Sequence, residues 1–285
     1  MMMFLMKNKT LVFFILFIFL LELPLAYSQQ FEIAEEYFAK EDLDNALLEY
    51  ERVFYFSQDA VVQKQALKHK AHIYKIKEDY LKSAYTLQRI PLYDMSLEEK
   101  DSVFYQMLLC FYLADDFSKA QQTMLSMDLN LQENPSKDLL LVEILNLNEL
   151  KDYATAYNKL LEYENKVTYL TNEDKHLLDS LYTHQPKQKS EKKARHLSFF
   201  PGLGHVYSGY WFEGITAFVI NAGVLTFGIY QAWHKDYLTA WIGGAGILAA
   251  AYTGQQKRAV YLANKYNYLK TKDFNAKIKN ILLNF

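Results

Sequence analysis

Four copies of one column of side chains limit what this chain can fold into. Leu43, Ala46, Tyr50 and Val53 make the first, and Tyr80, Ser83, Leu87 and Ile90 the second. Phe117, Ala120, Met124 and Met127 make the third, and Tyr153, Ala156, Leu160 and Tyr163 the fourth. The small residues are separated by 37, 37 and 36 positions, a fixed period of the length that marks stacked helical repeats. Within each copy the spacing keeps all four side chains on one face of an α-helix, with the small residue where a neighbouring helix comes close. Each column is preceded by a second apolar face: Ile33, Ala34 and Tyr37; Leu67, Ala71 and Tyr74; Phe104, Leu108 and Phe111; Leu140, Ile144 and Leu147. Two amphipathic helices per copy follow. Between them stand short polar turns, Lys40-Glu41-Asp42, Lys77-Glu78-Asp79, Ala114-Asp115-Asp116 and Leu150-Lys151-Asp152.

A small or apolar residue, an aromatic three later, an acidic turn, then an aromatic and an alanine is a pattern that resembles the tetratricopeptide repeat over about residues 30–163. The family's usual glycine in the first helix is replaced by Ala34, Ala71, Leu108 and Ile144, and no proline closes the copies in register. The resemblance implies a solenoid whose first helices line a concave, peptide-binding groove. Carried over by position, the groove presents Phe31, Glu35 and Phe38; Lys68, His72 and Lys75; Tyr105, Leu109 and Tyr112; and Leu141, Leu145 and Asn148. Lys68, His72 and Lys75 share one helix face and are suited to a carboxylate. Aromatic anchors such as Phe38, Tyr105 and Tyr112 are typical of binding grooves and equally of cores. A further amphipathic piece, Asp174 to Tyr182, is expected to cap the array, because a terminal repeat otherwise exposes its stacking face.

The start of the chain reads as an address. Lys7 and Lys9 precede an apolar run from Leu11 to Leu21, and Ala26-Tyr27-Ser28 follows. Eleven residues rise only about 16 Å, half a bilayer core, so the expectation is a secretory signal peptide over residues 1–28. The repeats, in a domain over residues 29–183, are then exported.

Composition divides the rest. All ten glycines fall between Gly202 and Gly254, and Trp211, Trp233 and Trp241 fall in the same window. Glycine weakens water-exposed helices, whereas membrane helices carry Gly at close contacts and Trp at headgroup level. Two mainly apolar segments, Ile215 to Ala232 and Tyr237 to Tyr252, flank His234-Lys235-Asp236 and predict a transmembrane helical hairpin. Thr239, Gly243, Gly246 and Ala250 offer small residues for close packing, including self-association. Ahead of the first segment, Pro201, Gly202, Gly204, Tyr207 and Gly209 resemble the signature of a bacterial two-transmembrane-helix module, with His205 in place of the usual glutamine. Residues 184–197, rich in Lys and Arg, read as a basic linker; 198–254 as the membrane module; and 255–285 as an amphipathic basic tail. The basic flanks oppose the positive-inside tendency. A signal peptide exports long domains almost regardless of such charge, so the repeats are expected outside, while the opposing charges leave the orientation of the hairpin open.

The fold class expected is therefore all-α: a helical-repeat solenoid followed by a membrane hairpin. A net charge of −2 gives no global field for nucleic acid. The single cysteine, Cys110, is expected to be a buried small hydrophobe. His69 and His72 lack a third ligand at metal spacing, and no phosphate loop or nucleophile elbow occurs. The expectation is a non-enzymatic scaffold of the cell envelope with no cofactor, no metal and no catalytic residue, its partners being a protein or peptide and membrane lipid. The alternative is a membrane-embedded transport or enzymatic unit using His205 and Glu213.

Overall fold

The computed structural model describes residues 30–131 and 135–283. The expected signal peptide lies outside the described residues. Among them every element is a helix and there is no strand. The chain divides into two compact units, Met1–Val167 and Thr168–Phe285.

The first unit contains α1 (30–39), α2 (Leu43–Phe56), α3 (Ala60–Ile76), α4 (Tyr80–Gln88), α5 (Leu97–Leu113), α6 (Phe117–Leu131), α7 (Lys137–Glu149) and α8 (Tyr153–Lys166). Four of its turns have one construction. Glu41, Glu78, Asp115 and Lys151 each take the left-handed conformation, with φ of 59°, 57°, 56° and 62°. The next residue is always an aspartate whose N–H donates back five residues: Asp42 to Tyr37, Asp79 to Tyr74, Asp116 to Phe111 and Asp152 to Leu147. That closes the preceding helix in a Schellman turn. The same aspartate opens the next helix, its carboxylate accepting from the N–H of Asn45, Lys82, Lys119 or Thr155. One residue thus satisfies orphan groups of two helices, and each such cap is worth about 1 kcal/mol.

The turns bring the expected columns together. Ala46, Ser83, Ala120 and Ala156 are all wholly buried, as are Tyr50, Val53 and Leu160. On the preceding helices Ala34, Leu67, Ala71, Leu108, Leu140 and Ile144 are buried too, whereas Ile33 is exposed. Helices pack with their chain neighbours from α2 to α8, and α5 also packs against α7. Where copy two has Ser83 in place of alanine, its hydroxyl donates to Ala71 O at 2.9 Å, and the Cys110 thiol donates to Ser83 Oγ at 3.4 Å. The hydroxyl is paired and costs the core little. Burial pushes the Cys110 thiol above its ordinary range.

The second unit contains α9 (Asn172–Thr183), α10 (Glu191–Leu197), α11 (Leu203–Tyr207), α12 (Trp211–Trp233), α13 (Tyr237–Thr239), a π-helical stretch Ala240–Gly246, and α14 (Ile247–Leu282). Helix α9 covers the segment expected to cap the repeats, yet it groups with this second unit. Its buried Tyr182 meets Phe274 of α14 edge-on at 5.8 Å, and Tyr169 just before it donates to Leu282 O. The segment expected as a linker is ordered as well. Lys189 N–H donates to Asn267 Oδ1 at 2.7 Å, Asn267 Nδ2 donates to Lys189 O at 2.9 Å, and residues 191–197 form α10 on α14. Nor does the basic tail begin at a break. Thr239, Ala240, Gly246 and Ile247 all have right-handed helical dihedrals, so α13, the π stretch and α14 are one rod. Gly254 alone does not stop it, because no proline or left-handed cap accompanies it.

Helix α12 and this rod are antiparallel. Contacts pair Glu213 with Arg258, Asn221 with Gln255, and Gly228 with Gly244. The turn between them repeats the backbone of the first unit's turns without the carboxylate cap: Lys235 has φ of 66°, Asp236 N–H donates to Gln231 O, and Asp236 O accepts from Ala240 N–H.

Candidate functional site

In the first unit, α1 and α3 meet along a line of side chains that includes the expected groove residues Phe31, Glu35, Phe38 and His72. Tyr50 reaches it from α2, donating its hydroxyl to Glu35, while His69 Nδ1 lies 3.0 Å from the same Glu35 oxygen and 3.3 Å from Tyr50 Oη. Phe31 stands edge-on to both rings, at 5.6 Å from Tyr50 and 5.4 Å from His69. Burial first, then the Glu35 hydrogen bond, raises the Tyr50 phenol above its ordinary range. This Glu35-Tyr50-His69 knot was not legible beforehand, because Tyr50 carries only a core signal in its column.

The basic trio is less uniform than its spacing suggests. Phe38 lies edge-on to His72 at 6.0 Å. Burial, then the neighbouring Lys75 and His69, hold His72 below its ordinary value. Lys75 Nζ donates to Gln106 Oε1 at 3.0 Å. Tyr105 and Tyr112 are half-buried, and burial raises both phenols, Tyr112 to about 12. Tyr112 also meets Phe117 of α6 at 5.7 Å. On α7 the expected groove residues Leu145 and Asn148 are buried, at 7% and 1% exposed, while Leu141 stays partly exposed.

Helix α7 holds a second feature with no sequence signal. Glu143 is wholly buried, with Lys159 Nζ 3.2 Å from Oε2 and no hydrogen-bond partner at Oε1. Burial pushes its carboxyl up to about 7. Among the described residues no group of three or more His, Cys, Asp or Glu is placed to hold a metal ion.

In the second unit the signature residues form a folding knot. Gly202 has φ of +86°, and a Cβ there would lie 2.1 Å from Gly214 O, so two backbones meet with no room for a side chain. A Cβ on Gly204 would lie 2.5 Å from Ala194 O, because α11 rests directly on α10. Tyr207 Oη accepts from Ser190 N–H at 2.9 Å, and Ser208 Oγ donates to Ala259 O at 3.0 Å. Gly209, at φ of +94°, ends α11 so that Tyr210 N–H reaches His205 O. Pro201 lies in the turn ahead of Gly202. His205 is 3% exposed, with no hydrogen-bond partner at Nδ1. Burial lowers its pKa, Glu213 opposes that shift and Arg258 adds to it. Arg258 grips Glu213 with two hydrogen bonds of 2.9 and 3.0 Å.

Beyond this knot α12 is largely uncovered. It is long and apolar enough to cross a membrane by length and composition, yet only 11% of its apolar stretch is buried. Phe218, Val219, Ile220, Leu225 and Ile229 are exposed, and so are Trp211, Tyr230, Trp233, Tyr237 and Trp241. Where Gly228 and Gly244 meet, an added Cβ would lie 2.6 Å from the opposite Cα. Gly243, one of the small residues expected at a close contact, packs on Phe227 of the same chain.

No family model matches the chain, and neither the curated proteins nor the solved structures contain a significant match to it.

Proposed function

We propose that the chain is a non-enzymatic, membrane-tethered scaffold: a solenoid resembling the tetratricopeptide repeat, exported to the periplasmic side, that recruits a protein or peptide segment of the envelope. The observation that carries this is the recurrence of one turn, left-handed residue then capping aspartate, at steps of 37, 37 and 36 between fully buried small residues. Identical turns at a fixed period give each copy the same helix-turn-helix form, which is the kind of unit that stacks in a repeat array. The first helices then share one face, with Phe38, Lys68, Lys75 and Tyr105 available to a partially extended, acidic or aromatic-bearing segment.

The tether is a transmembrane hairpin of α12 and the antiparallel stretch after it. A soluble protein rarely leaves so large an apolar surface uncovered, and a core helix of this composition is buried rather than 11% buried. Rings at both ends of the pair suit two headgroup layers. Of the two polar residues the alternative would use, Glu213 is already neutralised by Arg258, which favours an anchor over a transport or enzymatic unit. Nucleic acid is no part of the reading.

Photo-cross-linking in intact cells from a position beside Lys68, followed by comparison with the K68A/H72A/K75A variant, tests it. One dominant cross-linked protein, lost in the variant while membrane residence persists, is the expected outcome. Equal cross-linking from both chains contradicts the groove.

A further inference from the structure

The second unit carries a basic crevice that neither the groove nor the tether uses. A cavity of about 290 Å³ opens between the end of α9, the segment after it and α14. Its charged walls are Lys187, Lys270 and Lys277, with Asp273 the opposing carboxylate and His184 at the rim. Asp273 is already paired with Lys277 at 2.8 Å. Lys187 and Lys270 have no carboxylate partner among the described residues; the Lys270 ammonium lies over the Tyr266 ring, 5.9 Å from its centroid. Lys189 also lies over that ring, at 5.2 Å, and over Tyr207 at 5.0 Å. Unpaired ammonium groups are thus gathered around one aromatic wall.

The gathering is built. The segment carrying Lys187 is held by the reciprocal Lys189–Asn267 hydrogen bonds and by Gln188 Nε2 donating to Thr271 Oγ1 at 3.3 Å. Lys270 and Lys277 project from α14, whose Phe274 is buried against Tyr182. Side chains on two fixed supports lose less freedom on closing around a ligand than lysines on a loose chain. The local balance is uneven across the whole unit, which has fourteen Lys and Arg against seven Asp and Glu.

We propose that this crevice binds a phosphate dianion, held by Lys187 and Lys270 with Lys277 as the third cation. Three ammonium groups less Asp273 leave a charge that matches a phosphate monoester, which carries about −1.5 to −2 at pH 7. Lysine serves such ligands as a point charge and needs no bidentate geometry. The same chemistry is offered by a soluble phosphate monoester and by a phosphatidate headgroup. Lys270 lies eighteen residues beyond Tyr252 in one continuous helix, about 27 Å of rise, a distance that favours the soluble source.

The test uses the full chain in detergent micelles, titrated with inorganic phosphate by calorimetry at low ionic strength. A K187Q/K270Q variant removes the two unpaired cations; K192Q/K193Q, on exposed positions of α10, removes the same charge elsewhere. Circular dichroism confirms that both keep their helices. Saturable binding by the native chain, weakened at least tenfold in K187Q/K270Q and unchanged in K192Q/K193Q, is the expected result. A second arm measures co-flotation with phosphatidylcholine vesicles with and without phosphatidate. Retention that depends on phosphatidate and on Lys187 and Lys270 assigns the crevice to a lipid headgroup and supports the proposal. Absence of binding in both arms, or equal weakening by the two variants, overturns it.

Discussion

The left-handed residues of the repeated turn are where single side chains hold the most unspent stability. Glu78 and Lys151 take φ of 57° and 62°, a conformation that costs an L-residue about 1–2 kcal/mol. Glycine avoids that cost but loses about 0.5–1 kcal/mol more chain entropy on folding. Glu78→Gly and Lys151→Gly are therefore each expected to stabilise the chain by about 0.5–1 kcal/mol, read as a rise in the urea midpoint. Asp115→Gly is expected to gain less, since aspartate tolerates this conformation better. Glu143 gives the pH dependence. Its carboxyl is raised to about 7, so the folded chain holds a proton that the unfolded chain releases near 4.5. The stability it contributes is full below pH 4.5 and falls as pH rises through 7. Glu143→Gln is expected to match the native chain at pH 4 and to exceed it at pH 8, by on the order of 3 kcal/mol. Equal stability at both pH values contradicts the burial of an ionisable charge there. Neither site was legible in the sequence: a polar turn does not reveal its φ, and a glutamate three residues from Leu140 reads as a solvated face until α6 and α8 close over it.

At the scale of elements, the columns were legible and the boundaries were not. A three-four-three spacing dictates which helix face is buried, and Ala46, Ser83, Ala120 and Ala156 are wholly buried as the period requires. What a helix docks onto depends on partners far along the chain. Helix α9 is amphipathic enough to cap the repeats, but its Tyr182 is buried against Phe274 in the second unit. A run of lysines between 187 and 193 has no apolar period, yet Lys189 N–H donating to Asn267 Oδ1 and Gln188 Nε2 donating to Thr271 Oγ1 order it. The glycine signature belongs to this scale too. Gly204→Ala forces a Cβ to within 2.5 Å of Ala194 O, and backbone cannot rotate away as a side chain does. Overpacking of this kind costs about 1–3 kcal/mol, and the expected readout is faster proteolysis within α10 and α11 of the full chain in micelles. Gly228→Val is expected to part α12 from the rod at their closest crossing and to lower the thermal midpoint. Gly223→Val, with open space around its Cβ position, is the control that should leave it unchanged.

For the whole molecule the proposal joins two solvents in one chain: a water-facing array whose identical turns stack its helix pairs, and an apolar antiparallel pair set in lipid. The buried columns could be argued from the period, whereas the occupant of the proposed groove has no imprint in it. The arrangement across the membrane is the part that a single measurement decides. A chain carrying one added cysteine at Tyr55, exposed in the first unit, is compared with one carrying it at Lys235, in the turn between the two apolar segments. Cys110 is buried and silent. Both are labelled in spheroplasts with a membrane-impermeant maleimide. Labelling at position 55 in intact spheroplasts, with position 235 labelled only after the membrane is opened, is the expected result. Equal labelling of both positions before lysis, or none at position 55, contradicts an exported array held by a membrane-crossing pair.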